Sequence, residues 1–296
     1  MQTLPLLGGG NGEVVFYSHR NETPCGANEK SEWLKAKDMR VVVVGSGNVA
    51  ESLAQAIAEA DGLELVQVYA RNEERGRKVA ELAKTEWSNT SLAEADLYLI
   101  SVSDNAVAEC AKKLHTPENA VVAHTAGCCP IDSLAPHTHR AVFYPFQTFS
   151  IGRKVDFTKG YIFLEGATDY ALGVVEEVAH RLTSKVEMAD SARRAVIHLS
   201  GVFACNFANA MYANAAEVLA SAGLPFDIVA PVIEETAKKA VEVLNPAATQ
   251  TGPARRGDTQ TLDRHRAMLA ERPRTQEIYD KISEDICERT KISKSC

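Results

Sequence analysis

The chain has 296 residues, of which 45% are hydrophobic and 24% are charged, and its formal net charge is −7. This composition excludes a disordered or fibrous protein, and the length favours two domains. Net negative charge without a basic cluster excludes a nucleic-acid partner, and no apolar run reaches the roughly 20 residues that span a bilayer. Without a signal-peptide pattern either, we expect a cytoplasmic protein with no membrane partner.

Seven cysteines are spread along the chain without a CxxC pair. Their spacing matches no zinc-ligand pattern, so we predict reduced thiols and no metal site. Cys128 and Cys129 are adjacent, which is compatible with redox chemistry, but adjacent cysteines beside a strand end are more often plain small residues. We assign them no role.

Residues 1–38 are rich in glycine and polar residues and sustain neither helical nor strand periodicity. We predict a disordered leader over 1–38. Met39 stands directly before the first patterned segment, which suggests the hypothesis that it is the translation start. N-terminal sequencing of the native protein would test this.

Strand patterns alternate with helix patterns from residue 40 onward. The predicted strands are 41–44, 63–69, 96–102, 120–124, 141–144 and 161–164, and the predicted helices are 49–60, 73–83 and 176–183. This alternation predicts a parallel sheet of about six strands, in a Rossmann domain spanning 39–165.

Long alanine-rich, helix-favouring stretches follow residue 190 and cover 192–222 and 227–244, and shorter helix-favouring stretches follow at 261–270 and 276–288. We predict an all-helical substrate and dimerisation domain over 166–296. A single domain rarely buries such helices alone, so we expect a homodimer.

A glycine-rich turn lies between the first predicted strand and the first predicted helix. It has the sequence GSGNVA and consists of Gly45, Ser46, Gly47, Asn48, Val49 and Ala50. In a dinucleotide-binding turn of this type, the first glycine permits the tight bend and the second lets the backbone approach a pyrophosphate. We predict cofactor binding, the alternative being a simple strand-to-helix connection.

The second strand ends near Arg71 and Asn72, where NAD-binding proteins carry an acidic residue for the ribose hydroxyls. No carboxylate is present there. The Arg71 guanidinium suits a 2′-phosphate and Asn72 adds a hydrogen-bonding group, so NADP(H) is favoured over NAD(H). The alternative is a solvated arginine.

Two later strand ends bring polar residues to the same predicted edge of the sheet, namely Ser103 with Asp104, and His124. Ligands bind outside the carboxyl ends of parallel strands, so we predict that Ser103 and His124 line a nicotinamide pocket. The alternatives are that Asp104 caps a helix and that His124 bonds a backbone partner.

An α-helical period places polar residues on one stripe of the helix predicted over 192–222. The stripe comprises His198, Val202, Cys205, Asn209 and Tyr212, with Asn206 at its shoulder. We predict that His198 donates a proton, that Asn206 orients a carbonyl and that Asn209 contacts substrate. A structural, hydrogen-bonded histidine is the alternative.

The segment TGPARRGD, residues 251–258, is predicted to be a loop between helices. Arg256 is predicted to clamp a substrate carboxylate with Asp258 nearby, and Asp258 or Thr259 is placed to cap the next helix. A turn with solvated cations is the alternative.

Five segments together resemble a bacterial Rossmann-like family related to pyrroline-carboxylate reductases and deazaflavin-dependent NADP oxidoreductases. They are GSGNVA (45–50), HTAG (124–127), YPFQTFS (144–150), HLSGVFACNF (198–207) and TGPARRGD (251–258). The resemblance implies a helical C-terminal domain like that of 6-phosphogluconate dehydrogenase. It also implies cofactor contacts at Gly45, Gly47, Asn48 and Arg71, with substrate-side roles for His198, Asn206, Arg256 and Asp258. One branch resembles an alternative ketopantoate reductase, whereas related hydroxyacid dehydrogenases carry a lysine on the helix that here has His198.

We therefore expect an NADPH-dependent reductase of a small 2-keto or imino acid, with ketopantoate as the best single candidate. A non-catalytic NADP-binding sensor is the main alternative. A methyltransferase with a nucleoside cofactor is a third, but that class usually has an acidic residue where this chain has Arg71.

Overall fold

The computed structural model describes residues 38–295. Apart from Asp38, the predicted leader lies outside the described residues. The chain divides into two compact units between Ala195 and Val196. Within the described range, no helix combines the length and the apolar character needed to cross a membrane.

The first unit is built on one eight-stranded sheet in the order β3-β2-β1-β4-β5-β6-β7-β8. Its strands are β1 (Met39–Val44), β2 (Leu63–Tyr69), β3 (Glu86–Ser88), β4 (Leu97–Ile100), β5 (Val121–His124), β6 (Arg140–Phe146), β7 (Tyr161–Gly166) and β8 (Val186–Met188). The strand order reverses direction between β1 and β4, which is where open parallel sheets bind ligands.

The central strands are buried on both faces, which explains their continuous apolar sequences. Val41 and Val43 of β1 pack in one core layer, whereas Val42 and Val44 pack in the other. Successive side chains of a strand point to opposite faces of the sheet, so a run of four valines contributes two side chains to each core layer. Helices α1 (Asn48–Glu59), α2 (Glu73–Leu82) and α4 (Asp169–Leu182) supply the first layer, and α3 (Val107–Lys113) supplies the second.

The predicted parallel, Rossmann-like sheet is confirmed, with three corrections. The β6–β7 pairing is antiparallel, so β7 and β8 run opposite to the other strands. Strands β3 and β8 were not predicted, because three residues are too few to show a period of two. Helix α3 was also missed, being only seven residues long.

The predicted domain boundary at residue 165 lies inside the first compact unit. Beyond that residue, α4 packs on the sheet through buried residues such as Val175 and Val178, and β8 pairs with β7. The unit ends within α5 (Ser191–Gly201), at Ala195. The first unit therefore ends close to residue 192, where the alanine-rich composition begins, and not close to residue 165.

The second unit is helical, as predicted. It contains the end of α5, a π-helical segment at Val202–Phe207, α6 (Ala208–Ser221), α7 (Ala230–Val243), α8 (Pro253–Arg256), α9 (Thr259–Met268) and α10 (Pro273–Ser295). The helix predicted over 192–222 is thus interrupted by the π segment. Among the described side chains, neither α6 nor α7 has a buried residue.

Candidate functional site

The glycine-rich turn joins β1 to α1 as predicted, and its two glycines have different structural tasks. Gly45 has φ = 134°, a conformation that L side chains rarely adopt. A Cβ at Gly45 would overlap the Ser101 carbonyl oxygen and lie 2.9 Å from the carbonyl carbon. A Cβ at Gly47 would meet no atom within 4 Å. Gly45 is therefore required by the fold, whereas Gly47 borders open space.

The N-terminus of α1 is available to an anion. Gly47 is its N-cap and provides no side-chain cap, and the amide of Glu51 donates to the Gly47 carbonyl at 2.9 Å. Glu51 is thus the first residue of α1 whose amide donates to a carbonyl of the helix. The amides of Asn48, Val49 and Ala50 come before it in the chain and have no acceptor within the helix. Three such amides, with the positive end of the helix dipole, form a site suited to a pyrophosphate.

The buried carboxylate of Glu51 in α1 forms an ion pair with Arg75, which offsets its repulsion of an anion bound at the turn. Glu51 is 3% exposed, and its Oε2 accepts from Arg75 Nη2 at 2.9 Å while its Oε1 accepts from the Gly152 amide at 3.1 Å. Arg75 Nε also donates to the Ser46 carbonyl at 3.3 Å. These contacts hold the turn and the loop after β6 against α1. Sequence reasoning missed Glu51 and Arg75, since no local pattern links residues 24 positions apart.

Asn48, predicted as a cofactor contact, uses its side chain in the fold. Its Nδ2 donates to the Phe149 carbonyl at 3.2 Å, which holds the loop after β6. The part of Asn48 that remains available to a ligand is its backbone amide. Val49 similarly packs its side chain against the core and offers only its amide. For both residues, a cofactor contact would therefore be made by the backbone and stays a prediction.

A cavity of about 470 Å³ opens beside the turn, at the carboxyl ends of β1, β2 and β4. Four residues predicted for cofactor binding line it together: Gly45, Ser46, Arg71 and Asn72. The remaining lining residues are Val44, Tyr69, Ala70, Val102, Ala106, Glu109, Cys110, Lys113 and Leu114. The volume is typical of a small-molecule site, and the lining combines apolar side chains with the charged groups of Arg71, Glu109 and Lys113.

Asn72 has a structural task beside its place in this cavity. Its Oδ1 accepts from the Arg75 amide at 2.9 Å and thereby caps α2. Only the amide nitrogen of its side chain remains to donate to a ligand. Arg71 is exposed at the cavity wall, where a forked guanidinium can bind a phosphate through two hydrogen bonds.

His124, which was predicted as a cofactor contact, is enclosed by the fold. The side chain has 0% exposure, and its Nδ1 accepts from the Ala126 amide at 3.2 Å. Burial, reinforced by the nearby positive charge of Arg194, lowers the pKa of His124 to about 4. The imidazole is therefore neutral near pH 7 and enclosed within the sheet, in agreement with the alternative of a backbone-bonded histidine.

Sequence reasoning also missed Arg194, which is 0% exposed yet charged. It forms an ion pair with Glu165 and donates to the carbonyls of Ala189 at 3.0 Å and Cys129 at 2.8 Å. A buried guanidinium requires such partners. Arg194 therefore ties the loop after β5 to β7 and to the start of α5.

Ser103 is exposed just beyond β4, so its predicted contact with the nicotinamide remains a prediction. Between the ends of β4 and β5, Ser101 and Thr125 share a hydrogen bond of 3.1 Å between their hydroxyls.

Tyr144 on β6 is buried, and this burial raises its pKa to about 12. Nearby Cys128 and Asp104 raise the pKa of Tyr144 further, whereas Arg194 lowers it.

In the second unit, the π-helical segment changes the predicted polar stripe. A π turn inserts about one extra residue into the helix and so rotates the residues after it by about 100° relative to an unbroken α-helix. Asn206 lies inside this segment and shifts from the shoulder toward the line of His198, whereas Asn209 and Tyr212, which follow the segment, rotate away. His198 is partly exposed, and Asn206 and Asn209 are exposed.

Asp258 caps α9, which confirms that part of the prediction. Its Oδ1 accepts from the Thr261 amide at 3.1 Å and its Oδ2 accepts from the Thr261 hydroxyl at 2.8 Å. These bonds, helped by Arg256 and Arg264, lower the pKa of the Asp258 carboxyl. Arg256 ends the short helix α8 and is exposed, so the segment predicted as a loop is partly helical.

Two sequence families match the chain. Residues 25–146 match a family described as a Rossmann-like domain, and residues 160–286 match a domain of unknown function, DUF2520. No curated protein matches the sequence.

Solved structures extend this comparison. The protein BF3122 from Bacteroides fragilis, provisionally assigned as an NADP oxidoreductase, is 40% identical with a TM-score of 0.80, covering 85% of this chain and 98% of that one. TM1727 from Thermotoga maritima is 20% identical with a TM-score of 0.71, covering 85% and 99%. A reductive aminase from Aspergillus terreus, in complex with NADPH and ethyl levulinate, is 13% identical with a TM-score of 0.65, covering 84% and 93%.

The last two likenesses concern the fold alone, whereas the first extends to sequence over nearly the whole relative. The expected Rossmann-like architecture with a helical C-terminal domain is thus confirmed. The chain belongs to the same family as Bacteroides fragilis BF3122, with a Rossmann-like domain followed by a DUF2520 domain.

Proposed function

We propose that the chain binds NADP(H) at the carboxyl edge of its sheet. The observation that carries this proposal is the open space above Gly47, bordered by the uncapped N-terminus of α1 and adjoining the cavity that contains Arg71. The amides of α1 would hold the pyrophosphate, and the cavity would take the adenosine end. Arg71 would bind the 2′-phosphate, since the three residues directly after β2, which are Ala70, Arg71 and Asn72, include no carboxylate to bind a free ribose hydroxyl.

We further infer that the chain is an NADPH-dependent reductase of a small 2-keto or imino acid. Bound NADPH would supply hydride to the substrate carbon. The relative BF3122 supports the oxidoreductase class, and the reductive aminase shares the fold. A neutral carbonyl or imine would gain a proton after the hydride, so a proton donor is needed at the substrate.

His198 is the proposed donor and Asn206 the group that orients the substrate carbonyl or imine. The π segment supports this pairing, because it shifts Asn206 toward the line of His198 on the helix. Such turns occur frequently at functional sites. Asn209 is proposed as a further substrate contact, and Arg256 as the cation for the substrate carboxylate. Asp258, by capping α9, would hold the neighbouring end of α8, which carries Arg256.

Nicotinamide absorbance tests the reductase proposal directly. Purified protein with NADPH is offered ketopantoate, cyclic imino acids and a series of 2-keto acids, with and without an amine. We expect NADPH oxidation with at least one of these classes, ketopantoate being the first to try. Tight NADPH binding with no turnover on any of them would favour a sensor module. Binding of S-adenosylmethionine instead of NADPH would refute both.

The homodimer is likewise proposed from the second unit. Its described helices expose large apolar side chains, among them Phe203 at 62%, Val232 at 61% and Val241 at 71%. Exposed large apolar side chains on helices are a feature of protein–protein contact surfaces. Analytical ultracentrifugation should show a dimer at micromolar concentration, and a monomer at all concentrations would exclude it. We place this dimer in the cytoplasm, in keeping with the free thiols of Cys128 and Cys205.

A further inference from the structure

One face of α3 forms a wall of the cavity that contains Arg71. Ala106 at the start of this helix, Cys110 and Leu114 provide an apolar strip, and Glu109 and Lys113 provide the charged groups. These positions are spaced three or four residues apart, as expected for one helical face. The cavity therefore has two cationic side chains, Arg71 at the end of β2 and Lys113 on α3.

Glu109 connects these two cations electrostatically. Lys113 Nζ donates to Glu109 Oε1 at 2.7 Å, and the two side chains are 74% and 72% exposed. The hydrogen bond from Lys113 lowers the pKa of the Glu109 carboxyl, and the charges of Lys113 and Arg71 lower it further. Glu109 is therefore near enough to Arg71 for the two charges to interact, and it is also hydrogen-bonded to Lys113.

We propose that Lys113 is a second cationic ligand of the cofactor 2′-phosphate, and that it exchanges its Glu109 partner for this phosphate when NADPH binds. The inference rests on the proposed function of the cavity. It adds a determinant of NADPH specificity on an element remote in sequence from Arg71.

The physical case is one of competing anions. A phosphate monoester carries close to two negative charges at pH 7 and three acceptor oxygens, whereas Glu109 carries one charge. An exposed lysine–glutamate pair contributes little free energy, so Lys113 leaves Glu109 at small cost. Its flexible stem allows this exchange. NADH offers only a hydroxyl at this position, so the Lys113–Glu109 pair persists and Lys113 adds nothing.

Two neighbouring lysines supply a matched test. Lys112 is adjacent on α3 and exposed, but it does not line the cavity. Dissociation constants for NADPH and NADH are measured by fluorescence titration for Lys113→Gln and Lys112→Gln, with circular dichroism to verify folding. Lys113→Gln should weaken NADPH binding roughly 10-fold, in the range of a lost charge-assisted hydrogen bond, and change NADH binding less than about 2-fold. Lys112→Gln should leave both constants near the wild-type values.

A third variant separates phosphate binding from a merely structural ion pair. Glu109→Gln removes the competing carboxylate and should tighten NADPH binding by roughly 2- to 5-fold, with NADH unchanged. If Glu109→Gln weakens NADPH as much as Lys113→Gln does, the pair only shapes the cavity and the inference is overturned.

The inference and the proposed function fail in different ways. If wild-type protein binds NADH as tightly as NADPH, and Arg71→Asp changes neither dissociation constant, the cavity does not bind the 2′-phosphate and the proposed function of the cavity fails. If Arg71→Asp abolishes the preference for NADPH while Lys113→Gln matches wild type, only the role of Lys113 is lost.

Discussion

Gly45 and Gly47 stand two residues apart in the same turn, yet the structure predicts opposite consequences for substituting them. Gly47→Val places a side chain in open space at φ = −77°, which any residue adopts, so the fold should persist. The same side chain would fill the space above the α1 amides, where the pyrophosphate is proposed to bind. Gly45→Ala instead places a Cβ against the Ser101 carbonyl at φ = 134°.

The magnitudes of these effects differ enough to be separated experimentally. At Gly45, a backbone conformation restricted to glycine costs about 1–3 kcal/mol, and an overpacked contact adds about 1–3 kcal/mol. At Gly47, a valine replaces glycine as N-cap, which costs about 1 kcal/mol. We therefore expect Gly45→Ala to lower the free energy of unfolding by about 2–6 kcal/mol, and Gly47→Val by about 1 kcal/mol.

Urea denaturation and NADPH titration on the two variants test this expectation. Gly47→Val should unfold near the wild-type midpoint and bind NADPH at least roughly 100-fold more weakly, the scale of a lost pyrophosphate site. If it keeps wild-type affinity, the cofactor binds elsewhere. If Gly45→Ala is no less stable than Gly47→Val, the reasoning from the Ser101 contact is wrong.

Three further predictions concern other parts of the site. Arg71→Asp should weaken NADPH binding while largely sparing NADH, because a like charge replaces a phosphate partner; equal losses would contradict this. His198→Ala should lower turnover roughly 10²- to 10⁴-fold with little change in NADPH affinity, and normal turnover with the same pH profile would assign His198 a structural role. His124 has a folded pKa of about 4, below its ordinary 6.5, so its contribution to stability is complete above pH 6.5 and lost as the pH falls through 4. That loss is about 3 kcal/mol, and His124→Asn should lack it in urea unfolding measured from about pH 7 to about pH 4.

The sequence alone determined the features that depend on local periodicity and turn chemistry. Buried strands such as β1 and β2 and the long helices were readable because apolar residues repeat over several turns or pairs. The GSGNVA turn was recognisable because it lies between such a strand and a helix. The absence of an acidic residue beside Arg71 is also a local property, and it led directly to the expectation of NADP(H).

Only the tertiary structure decided which of these residues meet, and what each one is free to do. The ion pairs Glu51–Arg75 and Glu165–Arg194 each join segments that are far apart in the chain. No periodic pattern in the sequence therefore predicts them. His124 is a plausible ligand contact from its place at a strand end, but desolvation inside the sheet keeps it neutral and enclosed. Lys113 lines the cavity with Arg71 because the strand order places β4, from which the chain continues into α3, next to β1, and β2 lies on the other side of β1. Long-range packing sets burial and charge environment, and these determine which polar side chains remain available for chemistry.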